Sequence, residues 1–271
     1  MPARYPERIV CLTEESTETL YLLGEERRIV GISGYTVRPP RARREKPRVS
    51  AFLTARVGKI LELKPDLVVG FSDLQAGIAR DLAKAGLNVL IFNQRSVQQI
   101  LDMILALASL VGAADKGIQL IKSLEDGLAE IRQSAKALPR RPRVYFEEWD
   151  EPMISGIRWV SELVEIAGGE DIFAEQSHSQ AAAGRIVSDA ALVIRKNPEV
   201  ILGSWCGKKF RPERVAARAG WHSIAAVKDN RLFEIKSADI LQPGPAALTD
   251  GVQRIHELLR DSVFRAARMP S

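Results

Sequence analysis

Seven short, nearly all-apolar runs recur along the 271-residue chain, and their spacing constrains the fold more than any other feature. They are "RIVCL" (8–12), "RIVGIS" (28–33), "DLVVGF" (66–71), "NVLIF" (88–92), "RVYFEE" (143–148), "EVILGS" (199–204) and "RLFEI" (231–235). Runs this short, without polar alternation, suit parallel strands covered on both faces. Helix candidates lie between them, for example 16–23, 55–63, 74–85 and 96–111. Strand–helix alternation at this spacing predicts an α/β fold.

An internal repeat divides the chain. "LKPDLVVGFS" (63–72) resembles "KNPEVILGSW" (196–205), 133 residues further on. Each reads as a helix end, a proline stop, an acid and an apolar strand. Proline cannot continue a helix and biases its predecessor to extended backbone, which explains the shared grammar. Between the two copies, Ile118, Ile121, Leu124, Leu128 and Ile131 recur at helical spacing. Residues 113–138 would form a helix roughly 39 Å long, stopped by "PRRPR". The expected organisation is an N-terminal α/β lobe over 1–112, a linking helix over 113–138 and a C-terminal α/β lobe over 139–271. One helix is a semi-rigid link and predicts little hinge motion.

Bulk composition narrows the function classes. Hydrophobic content of 46% and charged content of 27% are ordinary for a globular chain. No apolar run approaches the ~20 residues of a membrane-spanning helix. The opening "RIVCLTEESTETLYLLG" (8–24) has a four-residue apolar core followed by acids, which is no secretory leader. The expectation is therefore a cytoplasmic protein, or a periplasmic one if a leader has been removed. The net charge of +5 concentrates in "RPPRARREKPR" (38–48). A solvated loop is the preferred reading, an anionic ligand or partner the second, and nucleic acid the last. Cys11 and Cys206 are too far apart in sequence to suggest a disulfide framework.

Several stretches together resemble the helical-backbone class of ABC-transporter substrate-binding proteins, which includes vitamin B12 and iron-siderophore binders. They are "RIVCLTEESTETLYLLG", "RIVGISGYTVRPP", "ILELKPDLVVG", the linking helix, "VSELVEIAGGEDIF" (160–173), "VIRKNPEVIL" and "GWHSIAAVKDNRLFEI" (220–235). The chain looks nearest to the cobalamin-binding branch. The resemblance implies two Rossmann-like lobes with parallel sheets, joined by one long α-helix, and a ligand cleft between them. It also implies an exposed glutamate on each lobe that pairs with permease arginines. Those positions fall near Gly58 and Ala190, which are not acidic, although Glu62 and Asp189 lie close by. An ABC permease partner is accordingly doubtful.

Ligands in α/β sheets sit beyond the C-terminal strand ends. Applied here, that rule selects Glu14, Glu15, Tyr35, Phe71, Glu148, Trp149, Trp205 and Cys206. Tyr35, Phe71, Trp149, Trp159 and Trp205 would form a flat wall for a macrocycle or chelate, with Trp159 better read as core. Only one of Glu147 and Glu148 should face the ligand, since strand side chains alternate. Arg185, after a small-residue loop, suits a phosphate or carboxylate, with a surface role the commoner reading. Glu14 and Glu15 have a local explanation: with Ser16 or Thr17 as N-cap, they would sit at the positive end of a helix. His178 and Cys206 are weak metal candidates, and Lys208 and Lys209 would favour a Cys206 thiolate.

The preferred function is non-enzymatic binding of a corrinoid or related metal chelate as a small-molecule ligand, with no cofactor required and no nucleic acid. Two alternatives stand beside it. One is a conventional periplasmic transport receptor whose leader is missing. The other is an enzyme built on Cys206 and His178, although no Ser–His–Asp set, GxGxxG or Walker loop supports catalysis.

Overall fold

The computed structural model describes residues 5–266. The fold is α/β, with two compact units joined by one long helix. The first unit holds the described residues up to Gln94, with Gln98–Leu124 and Pro243–Pro245. The second holds Arg95–Val97, Glu125–Gln242 and the described residues from Ala246 on.

The first unit is built on five parallel strands: β1 (Ile9–Cys11), β2 (Ile29–Ser33), β3 (Arg48–Ser50), β4 (Leu67–Phe71) and β5 (Val89–Phe92). Their order is β3-β2-β1-β4-β5. The chain winds outward from β1 and then returns to β4 on the other side, so the winding reverses between those two strands. Such a reversal opens a crevice at the strand C-terminal ends. Val10, Leu12, Val49, Ile60, Val68 and Leu82 form one buried cluster of this unit.

The second sheet contains β6 (Arg143–Asp150), β7 (Met153–Ser155), β8 (Glu170–Asp171), β9 (Val200–Gly203) and β10 (Leu232–Glu234). β10, β9 and β6 run parallel. Two short strands share the other edge of β6. β8 pairs in parallel with Arg143 and Val144, and β7 pairs antiparallel with Glu147–Asp150. Tyr145, Trp205, Phe210 and Trp221 anchor the core here, with edge-to-face ring contacts.

The seven predicted runs are β1, β2, β4, β5, β6, β9 and β10, each within about two residues at its ends. The predicted helices appear as Glu14–Leu22, Val57–Glu62, Ala76–Lys84 and Val97–Leu110. The segment 38–48 is not simply a solvated loop. It contains the short helix Ala42–Glu45, with Ala42 fully buried, and leads into β3. β3, β7 and β8 are as short as β1 or shorter but lack its apolar run, which is why the sequence pattern misses them.

The linking helix spans Ala114–Ala135, roughly 33 Å. Its first half belongs to one unit and its second half to the other. Leu124, Leu128 and Ile131 are buried as their spacing predicts, whereas Ile118 is exposed. Among the described residues, no helix is long and apolar enough to cross a membrane.

The sequence repeat has a structural cause, but not the extended residue expected before each proline. In each copy that residue, Lys64 or Asn197, instead takes a left-handed conformation that ends a helix. The acid after the proline then accepts backbone N–H bonds at the start of that unit's first strand. Asp66 accepts from Glu7 and Arg8 at 2.8 and 3.0 Å, and Glu199 accepts from Arg143 at 3.0 Å. Arg8 and Arg143 donate in return to the helix-end carbonyls of Lys64 and Asn197. The repeated "P-acid" pair therefore aligns a helix exit with the first strand of each sheet.

Candidate functional site

At the C-terminal end of β1 the chain passes directly into the helix Glu14–Leu22, with Thr13 at the N-cap position. The expected cap residues do not cap. Ser16 and Thr17 both donate back to the Thr13 carbonyl at 3.2 Å, and the Thr13 hydroxyl donates to Glu15 Oε1 at 2.5 Å. Glu14 and Glu15 are not solvated either: they are 3% and 2% exposed. Glu14 Oε1 and Glu15 Oε2 are buried with no hydrogen-bond partner.

Burial is the main cause of their altered acidity. It pushes Glu14 up to about 8, with the Glu18 and Glu15 charges adding and the Val37 N–H and Arg38 opposing. It pushes Glu15 up to about 7, against the hydrogen bond from Thr13. Helix N-termini favour carboxylates, so desolvation here outweighs the dipole.

The cover over Glu15 comes from far along the chain. A Cβ on Gly244 would lie 2.4 Å from the Glu15 Cβ, so only glycine lets the Pro243–Pro245 loop approach this closely. The Gln94 amide holds that loop by donating to the Pro243 carbonyl at 3.0 Å. Glu18, on the same helix, pairs with Arg38 at 2.9 Å, and Tyr35, just past β2, is 59% exposed. Phe71, the last residue of β4, is buried, and its N–H donates to Gln75 Oε1 at 3.0 Å.

In the second unit the strand-end carboxylates are paired. Glu147 is completely buried and receives the Arg218 guanidinium, the Trp205 indole N–H at 3.1 Å and the Tyr145 hydroxyl at 3.1 Å. Burial and the adjacent Glu147 charge hold the Tyr145 hydroxyl well above its usual range. Glu148, on the opposite side of the strand, takes a two-pronged bond from Arg185. Burial works to raise the Asp150 pKa, but the Lys208 ammonium bonded to it wins and holds the carboxyl below its usual range. Lys208 also lies 3.8 Å from the centre of the half-buried Trp149 ring.

These contacts correct several expectations. Arg185 is neither a surface residue nor a free anion binder: it is buried and also donates to the Ser155 carbonyl at 2.6 Å. Trp205 is core, packed edge-to-face on Phe210, rather than an open ligand wall. A Cβ on Gly203 would overlap the Phe210 ring, so a glycine at the end of β9 admits that packing. Crowding by neighbouring atoms and the Glu148 charge raise the Cys206 thiol, the reverse of the expected thiolate. His178 is exposed after the helix Ala174–Ser177, and among the described residues no group of three His, Cys, Asp or Glu side chains could hold a metal.

What converges in the second unit is Trp149, Lys208, Glu148, Arg185 and Cys206 at the ends of β6 and β9. Lys208 and Arg218 were not singled out as site residues, because their carboxylate partners lie 58 and 71 positions away. The "SWCGKK" turn was the one local signal for Lys208.

Two α/β units, with acids and aromatics gathered at parallel strand ends, define a ligand-binding protein. The chain belongs to the periplasmic binding protein family, whose model matches residues 9–238. It is a binding protein and not an enzyme. It is 28% identical over 265 residues to a vitamin B12-binding protein of Vibrio cholerae serotype O1, covering 94% of this chain and 89% of that one. It is 25% identical over 269 residues to YvrC of Bacillus subtilis (strain 168), an uncharacterized ABC transporter substrate-binding lipoprotein, covering 96% and 82%. Its fold matches the crystal structure of a possible iron-binding, periplasmic solute-binding protein from Staphylococcus epidermidis ATCC 12228. That match has a TM-score of 0.80 and 20% identity, over 96% of this chain and all of that one.

Proposed function

We propose that the protein binds a corrinoid or a closely related metal chelate at the ends of its parallel strands. The observation that carries this reading is the aromatic surface left open there. Tyr35 is largely exposed past β2, and Trp149 is half-buried near the end of β6 with a cation over its ring. A folded chain gains little from exposing such rings, whereas a flat, largely apolar ligand gains contact area from them. The vitamin B12-binding relative supports the ligand class.

The unpartnered carboxyl oxygens of Glu14 and Glu15 would meet the same ligand once the cover over them is displaced. With pKa values of about 8 and 7, both are substantially protonated near neutral pH and donate to carbonyl oxygens such as those of amide side chains.

We further propose that the chain works without the acid-to-arginine docking of transport receptors. Gly58 is flanked by Arg56 and Lys59, so charge near that face is basic. Asp189 is engaged by the Ala191 N–H and by Arg195 at 2.8 and 2.9 Å, although Glu62 remains exposed.

Titration with cobalamin and cobinamide, followed by corrin absorbance and melting temperature, tests the ligand class. A saturable spectral change with raised melting temperature is expected. Silence toward both corrinoids, with a response to haem or a ferric siderophore instead, overturns it. Retention of the protein on an immobilised vitamin B12 permease–ATPase complex would overturn the docking reading.

A further inference from the structure

The first unit contains a cavity of about 690 Å³ beside the edge strand β3, whose lining includes neither Glu14 nor Glu15. Its lining carries Arg43, Lys46, Arg48, Arg56 and Lys59 and not one carboxylate. Among the described residues none of these five cations makes an ion pair. In the same stretch of chain, Arg38 pairs with Glu18 and Arg41 with Glu26, each at 2.9 Å.

The backbone gathers these charges from three elements. Arg43 belongs to the helix Ala42–Glu45 and Arg48 opens β3. After Ser50 the chain reverses, with the Ala51 N–H donating to the Thr54 carbonyl at 2.7 Å. It returns antiparallel to β3 through a Ser50–Ala55 bridge, and the Arg56 N–H donates to the Val49 carbonyl at 2.9 Å. Arg48 and Arg56 thus stand on neighbouring segments, with Lys59 less than one turn into the helix that follows.

A second, independent feature lies in the same wall. Ser50 lines the cavity and is 9% exposed, yet its hydroxyl is buried with no hydrogen-bond partner. An unsatisfied buried hydroxyl is unfavourable, and an incoming oxygen atom removes the deficit. Charged side chains also guard edge strands against pairing. That role needs neither a concave wall, nor cations from three elements, nor a buried polar atom at its base.

We propose that this cavity is a second ligand site, which takes a small polyanion bearing two or more phosphate groups. Guanidinium forks match phosphate oxygens in pairs, and a ring of uncompensated cations attracts a multiply charged anion over a singly charged one. The volume exceeds that of one phosphate and falls in the range of metabolite-sized pockets. The inference does not rest on the corrinoid reading.

Isothermal titration of the full chain with inorganic pyrophosphate and with tripolyphosphate tests it. One saturable site is expected, tighter for tripolyphosphate and weakened by salt. The double variant Arg48→Glu, Arg56→Glu should weaken it by about a hundredfold or more, each reversal removing about tenfold or more. The control Lys84→Glu, Lys136→Glu, with the same change in net charge, should stay within about twofold. Ser50→Ala, a small change that spares the charges, should weaken binding by a few-fold up to about tenfold. Corrinoid titration of the same variants should be unchanged, so failure of one site is read separately from failure of the other. Non-saturable binding, equal losses in the control, no effect of Ser50→Ala, or capture of phosphatidylglycerol vesicles without pyrophosphate binding each overturn the proposal.

Discussion

Both units collect carboxylates at or just past the ends of their strands, but they treat the charge in opposite ways. In the second unit each carboxylate has a cation: Glu147 has Arg218, Glu148 has Arg185 and Asp150 has Lys208. In the first unit Glu14 and Glu15 are buried without a bonded cation, and the paired acid, Glu18, adds to their repulsion. Paired charges fix geometry over a wide pH range. Unpaired buried acids change their protonation state near neutrality and carry oxygen atoms that the fold itself leaves without a partner. The two strand ends therefore read as a rigid platform and a buried, titrating pair of acids.

The largest effect should come from removing a cation on the paired side. Arg218→Ala strands the Glu147 carboxylate among Tyr145 and Trp205 and should cost about 3–5 kcal/mol in denaturant unfolding. A loss below about 1 kcal/mol would mean that the pairing is not what holds this region, and the contrast fails.

On the unpaired side the sign reverses. Glu14 and Glu15 have folded pKa values above the ordinary 4.5, so the folded state binds more protons than the unfolded one between about 4.5 and 8. Their contribution is fully present at acidic pH, declines as pH rises through that window and levels off above it. The double variant Glu14→Gln, Glu15→Gln should remove that decline and be more stable than the parent at pH 9, by about 2–4 kcal/mol. Parallel pH profiles for parent and variant would break the comparison.

Smaller effects sharpen it. Trp149→Ala removes a half-buried ring from the platform. It should weaken corrinoid binding by about tenfold while moving the unfolding midpoint little. A large stability loss without a change in affinity would return Trp149 to the core. The smallest effect concerns Cys206. Because crowding and Glu148 raise its pKa, alkylation by iodoacetamide at pH 7.5 should be slower than for an unperturbed thiol. Cys206→Ala should leave unfolding within about 0.5 kcal/mol of the parent.

The same division separates what was legible in the sequence. The strands β1, β2, β4 and β5 could be read directly, because an apolar run bounded by proline, glycine and charge has few other solutions. Side-chain alternation along β6 puts Glu147 and Glu148 on opposite sides of the strand, and the one is buried while the other is partly exposed. Capping was the wrong explanation for Glu14 and Glu15. A local rule sees the helix start, but it cannot see Gly244, which arrives 229 positions after Glu15 and takes away its water. Arg185 and Trp205 were misread for the same reason, since their partners Glu148 and Glu147 lie 37 and 58 positions away. The basic run at 38–48 was visible as charge. Its partition into paired arginines and unpaired cavity walls was not.

The sequence alone determined the α/β alternation, the two-unit plan and the long helix, because periodicity and proline punctuation act over a few residues. It also carried the "P-acid" device that ties each helix exit to its sheet. Tertiary structure alone decided which carboxylates keep their charge. That depends on desolvation and on cations brought from distant segments, and neither is a property of any local stretch of chain.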